Sequence, residues 1–327
     1  MTIRLGYQIP NFSYPGGAPA IAGTVVQQAK EAETAGFDAV FVMDHFYQLP
    51  GLGSPDLPML EAYTLLGALA GQTSRIQLSA LVTGNTYRNP TLLAKAVTTL
   101  DVMSGGRAVL GIGAGWFELE HTQLGFEFGS FTDRFARLDE ALQIIEPMLR
   151  GHRPTVTGHW YRTESAINEP RLRDDLPILI GGSGERKTFA IAARHAAHLN
   201  LICDDTAIPA KLAALEQRCQ EAGRDRESLE TSYLAFMFLA ATQEQAVAMH
   251  RDYARARGVD LDAMDDAART AATARHFVGS PESVAEQFQR RVLDRGVDGI
   301  IVNMVGNGHV PGMVELAGQT LGPLVRR

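Results

Sequence analysis

Asp44-His45 directly follows an apolar run at 38–43 that reads as a strand buried on both faces. A histidine at the carboxyl end of such a strand can exchange a proton near neutral pH or hydrogen-bond a ring carbonyl, and Asp44 can set its tautomer or hold a cofactor edge. The plainer alternative has Asp44 capping a turn and His45 satisfied on a loop. Leu81-Val82-Thr83-Gly84-Asn85 closes the next strand with an apolar pair, a hydroxyl, a flexible backbone and an amide. That set can support a planar ring and bond its heteroatoms, or it is an ordinary Thr-Gly-Asn turn. Gly111, Gly113 and Gly115 imitate a dinucleotide fingerprint, but Trp116 stands where the third glycine belongs. They read either as close-approach positions beneath a flat ligand, walled by Trp116 and Phe117, or as tight packing. Gly181-Gly182-Ser183-Gly184, between a strand and a helix, offers backbone N–H groups, a hydroxyl and a helix N-terminus to an anion, phosphate being the natural one, or is a plain glycine-rich βα turn.

Other titratable residues are less informative. The spacing of Glu118, Glu120 and His121 does not put three ligands on one helical face, so no metal site is expected. His195 and His198 flank a strand and read as structural, while His250 and His309 suggest no partner. Nucleophile elbow, reactive-cysteine context and Walker loop are all missing from the sequence.

The elements that must position these residues alternate along the chain. Strands are expected at 3–9, 38–43, 76–82, 108–112, 178–180, 199–203, 233–239 and 299–302. Helices at 24–35, 90–103 and 132–149 come between them, with more centred near Ala190, Leu215, Ala246, Val284 and Val314. Eight βα units in 327 residues point to one closed (β/α)8 TIM barrel domain over 1–327. Two segments interrupt the alternation: a polar hairpin insertion near 153–168, with Gly158 at its turn and Trp160 and Tyr161 on its return strand, and a helical excursion near 242–274. The net charge of −7 leaves no basic stripe for nucleic acid. Two unpaired cysteines and the lack of a long apolar run or signal stretch favour a cytoplasmic protein with no membrane partner.

Six segments in order, MDHF at 43–46, LVTGNTYRNP at 81–90, GRAVLGIGAGW at 106–116, RFARLDEALQII at 134–145, LPILIGGSGERKT at 176–188 and FVGSPESVAEQF at 277–288, resemble the luciferase-like monooxygenase superfamily and its coenzyme F420-dependent oxidoreductase branch. The resemblance implies a (β/α)8 barrel with insertions. It also implies a deazaflavin ring resting on a bulge at Leu81-Val82, often with a non-proline cis peptide, near Thr83, Gly84, Asn85, Gly113, Gly115 and Trp116. It makes His45 the catalytic residue beside the reactive ring edge, Asp44 a cofactor contact, and Gly181, Gly182, Ser183 and Gly184 the phosphate loop. The implied activity is hydride transfer between F420 and a small organic substrate. FMN-dependent two-component monooxygenase chemistry is the alternative, and a non-catalytic flavin or deazaflavin carrier a further one. A homodimer is expected on the same ground. The sugar-phosphate dehydrogenases of this branch carry a catalytic glutamate where this chain has Trp116, which argues against a sugar-phosphate substrate.

Overall fold

The computed structural model describes residues 3–325. Its strands are β1 Leu5–Ile9, β2 Ala39–Val42, β3 Gln77–Ala80, β4 Thr83–Gly84, β5 Leu110–Gly113, β6 Val156–Thr157, β7 Arg162–Thr163, β8 Ile178–Gly181, β9 His198–Leu201, β10 Glu230–Leu239, β11 His276–Gly279 and β12 Gly299–Asn303. Nine of them pair in parallel in the order β3-β2-β1-β12-β10-β9-β8-β5-β4, and a parallel bridge between Leu78 and Ala108 joins the two ends. Because β3 and β4 are one stave broken at the cis peptide Leu81–Val82, the barrel has eight staves, as the sequence predicts. The chain is thus a (β/α)8 barrel.

Burial explains why these runs become staves. Every residue of β1, β2, β5, β9 and β12 is buried, the signature of strands covered on both sides. One set of side chains, including Ala39, Phe41, Val109, Leu179, Leu234 and Ile301, fills the barrel interior. A larger core, including Val40, Val42, Leu138, Ile145 and Phe277, lies outside the strands against the helices. Glycine makes room where a stave is crowded: a Cβ at Gly111 would stand 2.0 Å from the Ala80 carbonyl oxygen, too close for any side chain.

Several boundaries move for local reasons. The first helix runs Ala18–Ala35, six residues longer at its start than expected, because Pro19 fits a first turn whose N–H groups are unpaired anyway. A helix at Ala62–Ala70, capped by the Glu61 carboxylate, is not anticipated, nor is β11, which pairs only with β10 outside the barrel path. The hairpin forms as β6 and β7, but Trp160 and Tyr161 lie in its turn rather than on the return strand. There Glu140 accepts the N–H groups of His159, Trp160 and Tyr161, so this backbone hooks onto a carboxylate instead of a ladder. Cys203 falls beyond the end of β9. The 242–274 excursion is two helices, Gln243–Arg255 and Asp266–Ala272. Among the described residues no helix is long and apolar enough to cross a membrane.

Substituting Gly111→Ala is expected to destabilise the fold by about 1–3 kcal/mol, the usual range for an overpacked core. Urea unfolding measures this, and wild-type stability would contradict the tight approach at Ala80.

Candidate active site

The carboxyl ends of the staves surround a cleft of about 500 Å3. Its wall holds Asp44, His45, Leu81, Val82, Thr83, Gly84, Gly113, Gly115, Trp116, Gly181 and Gly182, which the topology gathers from staves far apart in sequence. Asn85, Ser183 and Gly184 stand outside this lining. Asn85 is buried at the start of a short 3-10 turn, and the Ser183 hydroxyl is used twice by the backbone of Ile202, 2.8 Å in each direction.

A buried carboxylate organises the His45 side of the mouth. Glu120 accepts Nδ1 of His45 at 2.9 Å, the Tyr87 hydroxyl, and the backbone N–H groups of Phe46 and Tyr47. Burial alone raises the Glu120 pKa, but the hydrogen bonds from His45, Tyr87 and Tyr47 outweigh it and hold the carboxyl below its ordinary range. Glu120 is therefore an anion at neutral pH. With Nδ1 of the imidazole bound to that carboxylate, Nε2 is the nitrogen left for chemistry, the arrangement by which an acid sets a histidine tautomer. Trp116 and Phe117 meet the His45 ring edge-on at 5.8 and 5.9 Å. Phe117 is buried, whereas Trp116 is 57% exposed at the rim.

Asp44 does different work. Its carboxylate takes both Nη atoms of Arg88, at 2.7 and 2.9 Å, and the Gly84 N–H at 3.0 Å. Arg88 also reaches Glu61 at 2.6 Å, and Tyr63 bonds the Thr83 hydroxyl at 2.7 Å. Asp44 thus pins β4 in register beneath the cleft, with its oxygens already occupied. His121 leads away from the cleft: Nε2 meets Thr86 at 2.7 Å, Nδ1 meets the Phe117 carbonyl at 2.8 Å, and burial lowers its pKa.

The glycines at the mouth approach the chain itself. A Cβ at Gly113 would lie 2.9 Å from Val82, one at Gly181 2.7 Å from Val82, and one at Gly115 2.5 Å from the Thr86 hydroxyl. These glycines pack closely on the chain while Gly113, Gly115 and Gly181 also line the cleft, and the room at Gly113 and Gly181 lets Val82 stand in it. On the floor, Gln8 and Asn303 are register partners across β1 and β12. Gln8 donates to the Leu81 carbonyl at 3.2 Å and accepts from Asn303 at 3.0 Å, leaving Asn303 Oδ1 buried without a partner among the described residues. Near the glycine loop, Thr188 and Arg134 complete the wall.

Sequence reasoning missed Glu120 as a support for His45, along with Arg88, Thr188, Arg134, Gln8 and Asn303. The available signal for Glu120 was only its place in the first turn after a stave.

This fold is a (β/α)8 barrel with its cleft at the carboxyl ends of the staves. Residues 3–299 match the luciferase-like monooxygenase family, and the chain belongs to it. An F420-dependent glucose-6-phosphate dehydrogenase of Microbacterium testaceum is 34% identical over 205 residues, covering 61% of this chain and 59% of that protein. The chain thus matches about three fifths of the length of that relative. An F420-dependent secondary alcohol dehydrogenase solved with an F420-acetone adduct superposes with a TM-score of 0.82 at 20% identity, covering 100% of both chains. The oxygenating constituent of the 3,6-diketocamphane monooxygenase of Pseudomonas putida, solved with FMN, superposes with a TM-score of 0.75 at 18% identity, covering 99% of each.

The buried carboxylate carries a pH signature. Glu120 titrates lower in the fold than its ordinary 4.5, so it stabilises the native state above that pH and loses this as pH falls through the depressed folded value. The stability gap between wild type and Glu120→Gln, measured in urea, is expected to narrow as pH falls below about 4.5. A gap constant with pH would contradict the ionised carboxylate.

Proposed function

We propose that the protein is an F420-dependent oxidoreductase that moves a hydride between the deazaflavin and a small organic substrate. The floor of the cleft carries this reading. Val82, given room by the missing side chains of Gly113 and Gly181, and Leu81 form an apolar platform, and the orphaned Asn303 Oδ1 beside it offers an acceptor to a ring N–H. A planar heterocycle with one apolar face and a polar edge fits that surface. The family match and the name of the sugar-phosphate dehydrogenase relative support the same reading.

Leu81, Val82, Gly113 and Gly115 would hold the ring. The backbone at Gly181 and Gly182, with Thr188 and Arg134, would take the phosphate, and Ser183 and Gly184 would shape that loop. Thr83 would support the ring, Asn85 the turn behind it, and Asp44 the strand that carries both. When bound, the deazaflavin supplies a two-electron hydride donor or acceptor that reacts poorly with oxygen. His45 gives or takes a proton through Nε2 at the substrate heteroatom, and the Glu120 anion stabilises the charged imidazole. Trp116 and Phe117 shield that nitrogen from water. An indole at the rim in place of a catalytic carboxylate supports a substrate other than a sugar phosphate. A homodimer in the cytoplasm completes the proposal.

Two measurements test it together. Titration followed by cofactor fluorescence is expected to show saturable F420 binding with FMN far weaker; preference for FMN would overturn the deazaflavin reading in favour of a monooxygenase. In His45→Ala, cofactor binding is expected to persist while hydride transfer falls roughly 100- to 10,000-fold, the range for a lost general acid or base. Unchanged turnover would remove His45 from catalysis.

A further inference from the structure

Beside the cleft at the stave ends lies a second cleft of about 670 Å3, and the two share Pro50, Leu52, Phe236 and Arg275 in their walls. The second cleft lies between the β2 loop and the helix Gln243–Arg255 with β11. In the barrel order β10, which carries β11, is separated from β8 and its glycine loop by β9. A ligand that placed a phosphate at Gly181 and Gly182 would leave this side open to another molecule.

The wall chemistry is one-sided. No aspartate or glutamate lines the cleft, but Arg257 and Arg275 do. Arg257 lies 3.5 Å over the Tyr253 ring and bonds the Leu52 and Tyr253 carbonyls, so its charge is fixed in place without a carboxylate partner among the described residues. Arg275 sits at the junction of the two clefts, half-buried, with its guanidinium 5.2 Å over Phe236 and no ion pair among the described residues. A half-buried guanidinium without a counter-charge is a strong binding site for a carboxylate, to which it can donate two hydrogen bonds.

His250 and His276 form the back of the cleft, joined Nε2 to Nδ1 at 2.8 Å. Burial, then His250, Arg275 and Arg291, push the His276 pKa down to about 3, and burial lowers His250 as well. Both rings are neutral at pH 7, so they add donors and acceptors without charge. Phe236, Tyr253 and Leu261 supply apolar and aromatic surface.

We propose that this second cleft is the substrate subsite, and that Arg275 anchors a substrate bearing a carboxylate on an apolar or aromatic body. The inference rests on the cofactor reading for the term "substrate", but the binding chemistry stands without it. A test without cofactor therefore separates the two. Calorimetric titration of the protein alone compares naphthalene-2-carboxylate, its neutral counterpart naphthalene-2-methanol, and glucose 6-phosphate as an anion without an apolar body. The carboxylate is expected to bind roughly tenfold or more tightly than the alcohol, as a charge-assisted contact would give. That preference should vanish in Arg275→Ala and return in part in Arg275→Lys. Ala272→Glu, which adds an acid to the cleft wall at an exposed position, should also abolish it, and this variant leaves the fold's interior untouched. Equal binding of acid and alcohol, or a preference that survives both Arg275→Ala and Ala272→Glu, would overturn the assignment. So would glucose 6-phosphate binding as tightly as the carboxylate. Loss of F420 binding with the carboxylate preference intact would sink the cofactor reading and leave this site standing.

Discussion

A single buried carboxylate holds the active mouth together. Glu120 receives donors from three consecutive residues of the β2 loop and from Tyr87 beyond β4, while sitting itself on the helix after β5. Three loops that share no sequence neighbourhood are thereby tied to one charge. A buried charge is tolerated only when its partners satisfy it, and here burial is outweighed by hydrogen bonds. Asp44 repeats the device one layer down, where Arg88 and the Gly84 N–H fix the broken third stave. Around these two acids the remaining features fall into place: the apolar platform at Leu81 and Val82, the glycines that give it room, and the imidazole with one nitrogen committed and one free.

The mouth divides by chemistry into two halves. Toward β5 and β8 it is glycine-rich and shaped by backbone, suited to a flat ring and a phosphate. Toward β10 and β11 it is positively charged and walled by aromatic rings. His45 and Trp116 stand at the rim of the first half, and Arg275 at the seam. A barrel that presents eight strand ends to one mouth can build such unlike surfaces side by side, because each loop contributes independently on a common rigid frame.

Much of this was legible in the chain before its structure. Near-continuous apolar runs separated by helical periodicity declared the barrel, and residues placed at strand ends, such as His45, Val82, Gly113 and Gly181, were found because position alone marks them. What stayed hidden depends on distance in sequence. Glu120 and His45 are 75 residues apart, and no local pattern links them. The four residues of β11 carry too little periodicity to stand out next to a helical excursion, and so the partner of His250 went unseen. The glycines at 111, 113 and 115 were visible, but their close approaches depend on where Ala80, Val82 and Thr86 come to rest.

Glu120 fixes the neutral His45 imidazole with its proton on Nδ1 and its lone pair on Nε2. Nitrogen-15 chemical shifts of the His45 ring, recorded near neutral pH on selectively labelled protein, test this most directly. The neutral ring is expected to show a protonated Nδ1 and an unprotonated Nε2. A neutral ring protonated on Nε2, or a rapid average of the two tautomers, would contradict it.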